Sequence, residues 1–177
     1  MPGRPRLRIL PEAKRLGAGK DIEMDLYEFL KTIHVIGAAC WVGGAAMVQV
    51  QAARVTASGD TARMITFADE QEVVGKKYFA PISGLTALMG VLMVLDLGAE
   101  YFKETWIILG IAFFLLTSIV GATFLGPESG RLRDLVAAKG LDDPETQRRL
   151  KRITMVSRLD LTLLILIVAV MVIKPGA

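Results

Sequence analysis

From Thr32 to Ala53 the chain runs for 22 residues without a formal charge. A helix of that length, rising ~1.5 Å per residue, crosses a hydrocarbon core of ~30 Å. Two further charge-free runs follow, 18 residues between Lys77 and Asp96 and 23 between Glu104 and Glu128. A fourth, Leu161–Ile173, has only 13 residues, too few to span, so its helix has to reach back through Asp160 and Arg158 toward Ile153. In lipid the backbone must satisfy its own hydrogen bonds, and the alternating pattern of a membrane barrel is absent. The expected fold is therefore an all-α membrane protein, a bundle of four transmembrane helices at about 27–53, 77–97, 105–125 and 153–173, forming one domain over residues 24–177.

Residues 1–23 differ in character. They are rich in Arg, Gly and Pro and hold no continuous apolar stretch, so they are expected to be a disordered basic tail rather than a secretory signal. Met24 directly precedes the first helix and is an alternative start.

Charge sets the expected topology. The 54–77 connector carries four basic residues and the 126–158 connector eight, whereas the 98–104 turn has only Lys103 and the C-terminus only Lys174. Positive residues favour the cytoplasmic side, which predicts a multi-pass protein of the plasma membrane with both long connectors inside and both termini outside. The six Lys and Arg of the 1–23 tail oppose that orientation unless the chain starts at Met24. The connectors are expected to be helical. Asp143-Pro144 reads as an N-cap followed by a first-turn proline, and Asp60 reads as a cap for an interfacial helix with Met64, Ile65 and Ala68 on one face. Arg148, Arg149, Lys151 and Arg152 are expected to face anionic headgroups. The net charge of +3 reports this topology and does not point to a nucleic-acid partner; the expected partners are the bilayer and a second copy or another membrane protein.

His34 is the only histidine. Steps of ~100° place it on one face with Ala38, Trp41, Ala45 and Val48, a mostly small face that suits a helix contact. An imidazole at membrane depth can ligate haem iron or copper or relay protons, or it can simply bond a neighbouring helix. His34 lies three residues inside Lys31, Met93 three inside Asp96, and Met171 three inside Lys174, so one imidazole and two thioethers can share a layer near the outer face. Met89 lies one turn deeper than Met93. Imidazole with thioether suits Cu(I), giving His34, Met89 and Met93 as metal candidates, or a His/Met haem, adding Met171 and Trp41 as cofactor-binding candidates. Methionine also fills gaps in apolar helices. Two histidines on one haem would need His34 from each half of a dimer. The single Cys40 lies ~120° around the helix from His34 and excludes an intrachain disulfide.

Arg158 and Asp160 at the inner interface are either an intramembrane pair or proton-path acid, or a snorkelling cation beside a hydrogen-bonded carboxylate. Tyr78, Phe79, Tyr101 and Trp106 fit interfacial anchors. Gly43-Gly44, Ser83-x-x-x-Ala87, Thr86-x-x-x-Gly90 and Thr117-x-x-x-Gly121 permit tight helix packing. No phosphate-binding loop, HExxH, paired catalytic carboxylates or Ser-His-Asp set is present, so a hydrolase or nucleotide enzyme is not expected.

The stretch MDLYEFLKTIHVIGAACWVGG, the FLGP sequence, the Arg-rich connector and the ending MVIKPG together resemble a bacterial four-helix membrane family known as domain of unknown function 2269, over about residues 24–177. The first helix is also similar to the copper-resistance D domain and to the haem-binding membrane protoporphyrinogen oxidase family. Lys31, His34, Trp41 and Gly44 match that oxidase family's Lys-x-x-His…Trp-x-x-Gly pattern. The resemblance implies a haem-binding role for His34. The sequence departs from the oxidase pattern after the glycine, where it reads AAMVQVQ, and in the third helix, which has no lysine. The expectation is a non-catalytic membrane protein binding haem b or copper, beside a cofactor-free interaction protein in which His34 only packs and a haem-dependent oxidoreductase.

Overall fold

The computed structural model describes residues 25–176, so the expectations for residues 1–23 lie outside the described residues. Four long helices carry almost all of the fold: α1 Leu26–Ser58, α2 Thr61–Leu97, α3 Thr105–Lys139 and α4 Pro144–Ile173. All four are long and apolar enough to cross a membrane, and the chain is an integral, multi-pass membrane protein.

The helices are longer than the spans expected from charge-free runs. They have 33, 37, 35 and 30 residues, or ~45–55 Å at helical rise, against ~30 Å of hydrocarbon. The excess is on one side. The 60–74 segment, expected as an interfacial helix, is a continuation of a span: Thr61–Val74 leads into α2, and Gly126–Lys139 likewise completes α3. These two segments pack against each other, and with the end of α1 and the start of α4 they form a helical cap.

The cap has its own hydrophobic core. Val55, Met64, Leu132, Val136, Leu141 and Leu150 are buried together, with Ile65, Phe67 and Ile153 against them. Its turns follow from local chemistry. Gly59 ends α1 at φ 64°, and Asp60 accepts a hydrogen bond from the Arg63 N–H at 3.1 Å. Asp143 accepts from the N–H groups of Glu145 and Thr146 at 2.9 and 3.2 Å, with Pro144 at the first helical position.

The membrane half is built the other way round. Half of its buried positions are small or hydroxylic, Gly37, Thr86, Gly110 and Thr117, beside Leu30, Val94, Ile107 and Leu164, while large residues such as Val35, Leu88, Leu116 and Val172 face outward. That is the pattern expected where lipid replaces water and close backbone approach drives association. Here α1 packs along the Ala80–Leu97 half of α2, α4 packs along the Thr105–Val120 half of α3, and α1 joins α4.

Two π turns connect the tiers, Gly75–Phe79 in α2 and Gly121–Leu125 in α3. In each, a proline follows six residues after the leading glycine, Pro81 and Pro127. A proline has no N–H and crowds the carbonyl four residues back. The preceding turn widens, and the N–H of Ala80 bonds Gly75 O while that of Gly126 bonds Gly121 O.

Candidate functional site

His34 stands at the α1–α2 interface, away from the cap. Its Nδ1 lies 2.7 Å from the backbone oxygen of Thr86. A carbonyl only accepts, so Nδ1 carries the proton and donates, leaving Nε2 with its lone pair in the neutral ring. Gly90 forms the other side of the seat: a Cβ there would lie 3.0 Å from His34 Cε1 and 3.2 Å from Nδ1. The half-buried imidazole is thus set flat against α2 by one bond and one missing side chain.

The same device repeats along the interface from His34 toward the cap. Thr86 Oγ1 fills the space where Gly37 lacks a side chain. Tyr78 and Phe79 lie over Gly44, where a Cβ would meet them at 2.8 and 3.3 Å. The Tyr78 hydroxyl donates to the backbone oxygen of Cys40 at 2.9 Å. Of the glycine pair noticed in the sequence, Gly44 is the close approach, and Gly43 has open space around it. Tyr78 and Phe79, expected as interfacial anchors, serve this interface.

The other candidate ligands have separate neighbours. Met171 places its methyl over Gly110 of α3, within the α3–α4 seam. Trp41 meets Phe114 of α3 edge-to-face, with ring centroids 5.7 Å apart. Met89 and Met93 are half-buried on α2, and Met93 stands one turn beyond Gly90 on the side of the helix that carries the imidazole seat. Cys40 is exposed and free. Among the described residues no group of three or more His, Cys, Asp and Glu is placed to hold a metal ion.

Nearer the cap, a polar seam crosses the bundle. Thr117 of α3 donates to Asp160 of α4, and Gln49 of α1 donates to Ser157, one turn away on the same helix. Asp160 and Arg158 do not form an ion pair, and Arg158 is exposed. Gln49 and Ser157 escaped the sequence reading, and Thr117 was legible only as a small packing position, since polar uncharged residues at helical spacing carry no signal of which helix they meet.

In the cap, Glu128 is only 4% exposed. It is bound by Arg149 and, at 3.3 Å, by Arg131. Arg149 was expected at the headgroups; the buried carboxylate draws it inward instead. Arg152 lies over the Phe124 ring at 5.1 Å. On the surface of the cap Arg133 pairs with Asp69 and Asp134, and the Asp69 hydrogen bond raises its guanidinium pKa. Hydrogen bonds from Lys76 and Lys139 hold the carboxyls of Glu72 and Glu145 below the ordinary carboxylate range.

The model of one family, described as "Predicted integral membrane protein (DUF2269)", matches residues 28–175. This chain belongs to that family. The match spans all four helices of this DUF2269 protein, so the two-tier bundle lies within the family's domain. No curated protein matches the chain significantly, and no solved structure does. The chain's closing MVIKPG has a clear structural use. Lys174 ends α4 at φ 49° with its ammonium 5.0 Å over the Trp106 ring, and Gly176 lies against Thr105, fastening the end of α4 to the start of α3.

Proposed function

We propose that this DUF2269 protein is a non-catalytic plasma-membrane protein that binds a haem at the end of the bundle away from the cap, where His34 would hold it. The cap would lie in the cytoplasm and both termini outside. The observation that supports this is the Nδ1–H bond to Thr86. A ligating histidine ordinarily donates its other ring N–H to a carbonyl or carboxylate, which fixes tautomer and ring orientation. His34 makes that bond within the protein and keeps Nε2 for a ligand. The first-helix resemblance, Lys31, His34, Trp41 and Gly44, points the same way.

Met171 is taken up by Gly110 in a different seam, so the layer of His34, Met93 and Met171 would have to be drawn from two interfaces, whereas a Cu(I) set of His34, Met89 and Met93 would stay on α1 and α2 and is the alternative ligand reading. Met93, a turn beyond Gly90, is the proposed second residue to hold the haem, and Trp41, whose ring meets Phe114 edge-to-face, is the aromatic candidate on the same helix as His34. A haem held by His and Met would supply one-electron redox chemistry; this chain supplies the imidazole seat.

A second reading is favoured by the interlocking of His34 on Gly90 and Thr86 on Gly37: His34 is a fastener between α1 and α2 in a cofactor-free protein. The absorption spectrum and metal content of detergent-purified wild type and His34→Ala, before and after titration with haem b, separate the two. A Soret band present in wild type and lost in the variant supports the ligand role. Equal, unsaturable uptake by both proteins leaves the fastener.

A further inference from the structure

Where α4 passes from membrane to cap, its outer side carries a groove of about 470 Å³. Lys151 and Arg158 line it, with Gln147, Thr154 and, from the end of α1, Thr56. Positions 147, 151, 154 and 158 are spaced four, three and four, so they share one helix face. The apolar part of the lining includes Met155 and Leu159, which are 59% and 62% exposed. Among the described residues neither Lys151 nor Arg158 has an ion-pair partner, whereas Arg131, Arg133, Lys139 and Arg149 all do.

Depth makes this pair of cations notable. The charge-free run Leu161–Ile173 has 13 residues and covers only ~20 Å, so a ~30 Å core reaches back to about Thr154. Arg158 then lies ~6 Å inside the hydrocarbon edge, and any tilt of α4 sets it deeper. Lys151, about two turns away on the same face, stands at headgroup level. A cation below the interface is costly unless it snorkels or meets an anion. Asp160 does not serve, being bonded to Thr117 and lying ~200° around the helix from Arg158.

We propose that this groove seats one anionic phospholipid, its phosphate held between Lys151 and Arg158 and one acyl chain lying on Met155 and Leu159. Thr154 and Gln147 offer hydrogen bonds to the headgroup. Basic grooves at the membrane boundary suit such headgroups, and the charge complementarity here is of one sign with no competing acid in the lining. The proposal is independent of haem binding and of which side the cap occupies.

The test places the full-length protein in bilayer discs of phosphatidylcholine with a minority of phosphatidylglycerol, extracts it in mild detergent, and counts retained lipids by native mass spectrometry. Wild type is expected to retain phosphatidylglycerol in preference. Lys151→Gln and Arg158→Gln should each lower that preference about fivefold. Arg158→Lys, which keeps the charge, and Arg148→Gln, outside the groove, should retain most of it and show that the variants fold. Equal retention of both lipids by wild type would overturn the proposal. So would undiminished preference in the Gln variants, or release of the lipid by millimolar inorganic phosphate, which would mark a site for free anions.

Discussion

The α1–α2 interface turns on three places where a glycine on one helix meets a large or polar side chain on the other: Gly90 with His34, Gly37 with Thr86, and Gly44 with Tyr78. Small residues on α1 and α2 were legible in the sequence as marks of close packing. Which side chain fills each gap was not, because that depends on the register of two antiparallel helices, and apolar runs leave register free. Gly37→Val would force its side chain into Thr86 Oγ1 and should destabilise the detergent-solubilised protein by about 1–3 kcal/mol in reversible unfolding. In the cap, Arg149→Ala leaves the buried Glu128 with only the 3.3 Å contact to Arg131 and should cost about 1.5–3 kcal/mol by the same measurement. Glu128 was hidden from sequence reading for a plain reason: a glutamate beside a proline at the end of an apolar run looks like a boundary.

At the scale of elements, the two π turns join the membrane half to the cap in α2 and α3. The charges at Lys76, Lys77 and Glu128 were read as ends of spans, whereas both helices run on through them. Beyond them charged residues sit on helices whose apolar faces pack into the core of the cap. Met64 and Ala68, expected on one face, are 1% and 2% exposed in the cap core; their partners Leu132 and Val136 lie some 70 residues away in sequence, out of reach of any local pattern. The proline explains each π turn, and the glycine is incidental, since nothing lies within 4 Å of a Cβ at Gly75 or Gly121. Gly75→Ala is therefore expected to raise stability by about 0.5–1 kcal/mol through helix propensity. A loss of stability would mean that the glycine itself shapes the turn.

At the scale of the whole molecule, the bundle has two unlike ends: a charged, hydrophobically cored cap, and a short turn and tail held by Lys174 on Trp106. The proposed orientation puts the cap in the cytoplasm. In a Cys40→Ser background, a membrane-impermeant thiol reagent applied to intact cells should label Lys103→Cys and spare Asp142→Cys, with both labelled after lysis; the reverse pattern would invert the protein. The number of spans and the place of the lone histidine were legible because hydrocarbon thickness and charge cost act on the sequence directly, whereas the cap and the polar seam arise only from tertiary contact. The proposed function rests on one ring, the imidazole whose Nδ1 faces the Thr86 carbonyl. Because the chain has a single histidine, histidine-selective ¹⁵N labelling gives one imidazole to observe by solid-state NMR in bilayers. The account predicts a protonated Nδ1 and an unprotonated Nε2 whose signal shifts or broadens on addition of haem b. A protonated Nε2 with bare Nδ1, or a ring indifferent to haem, would contradict it.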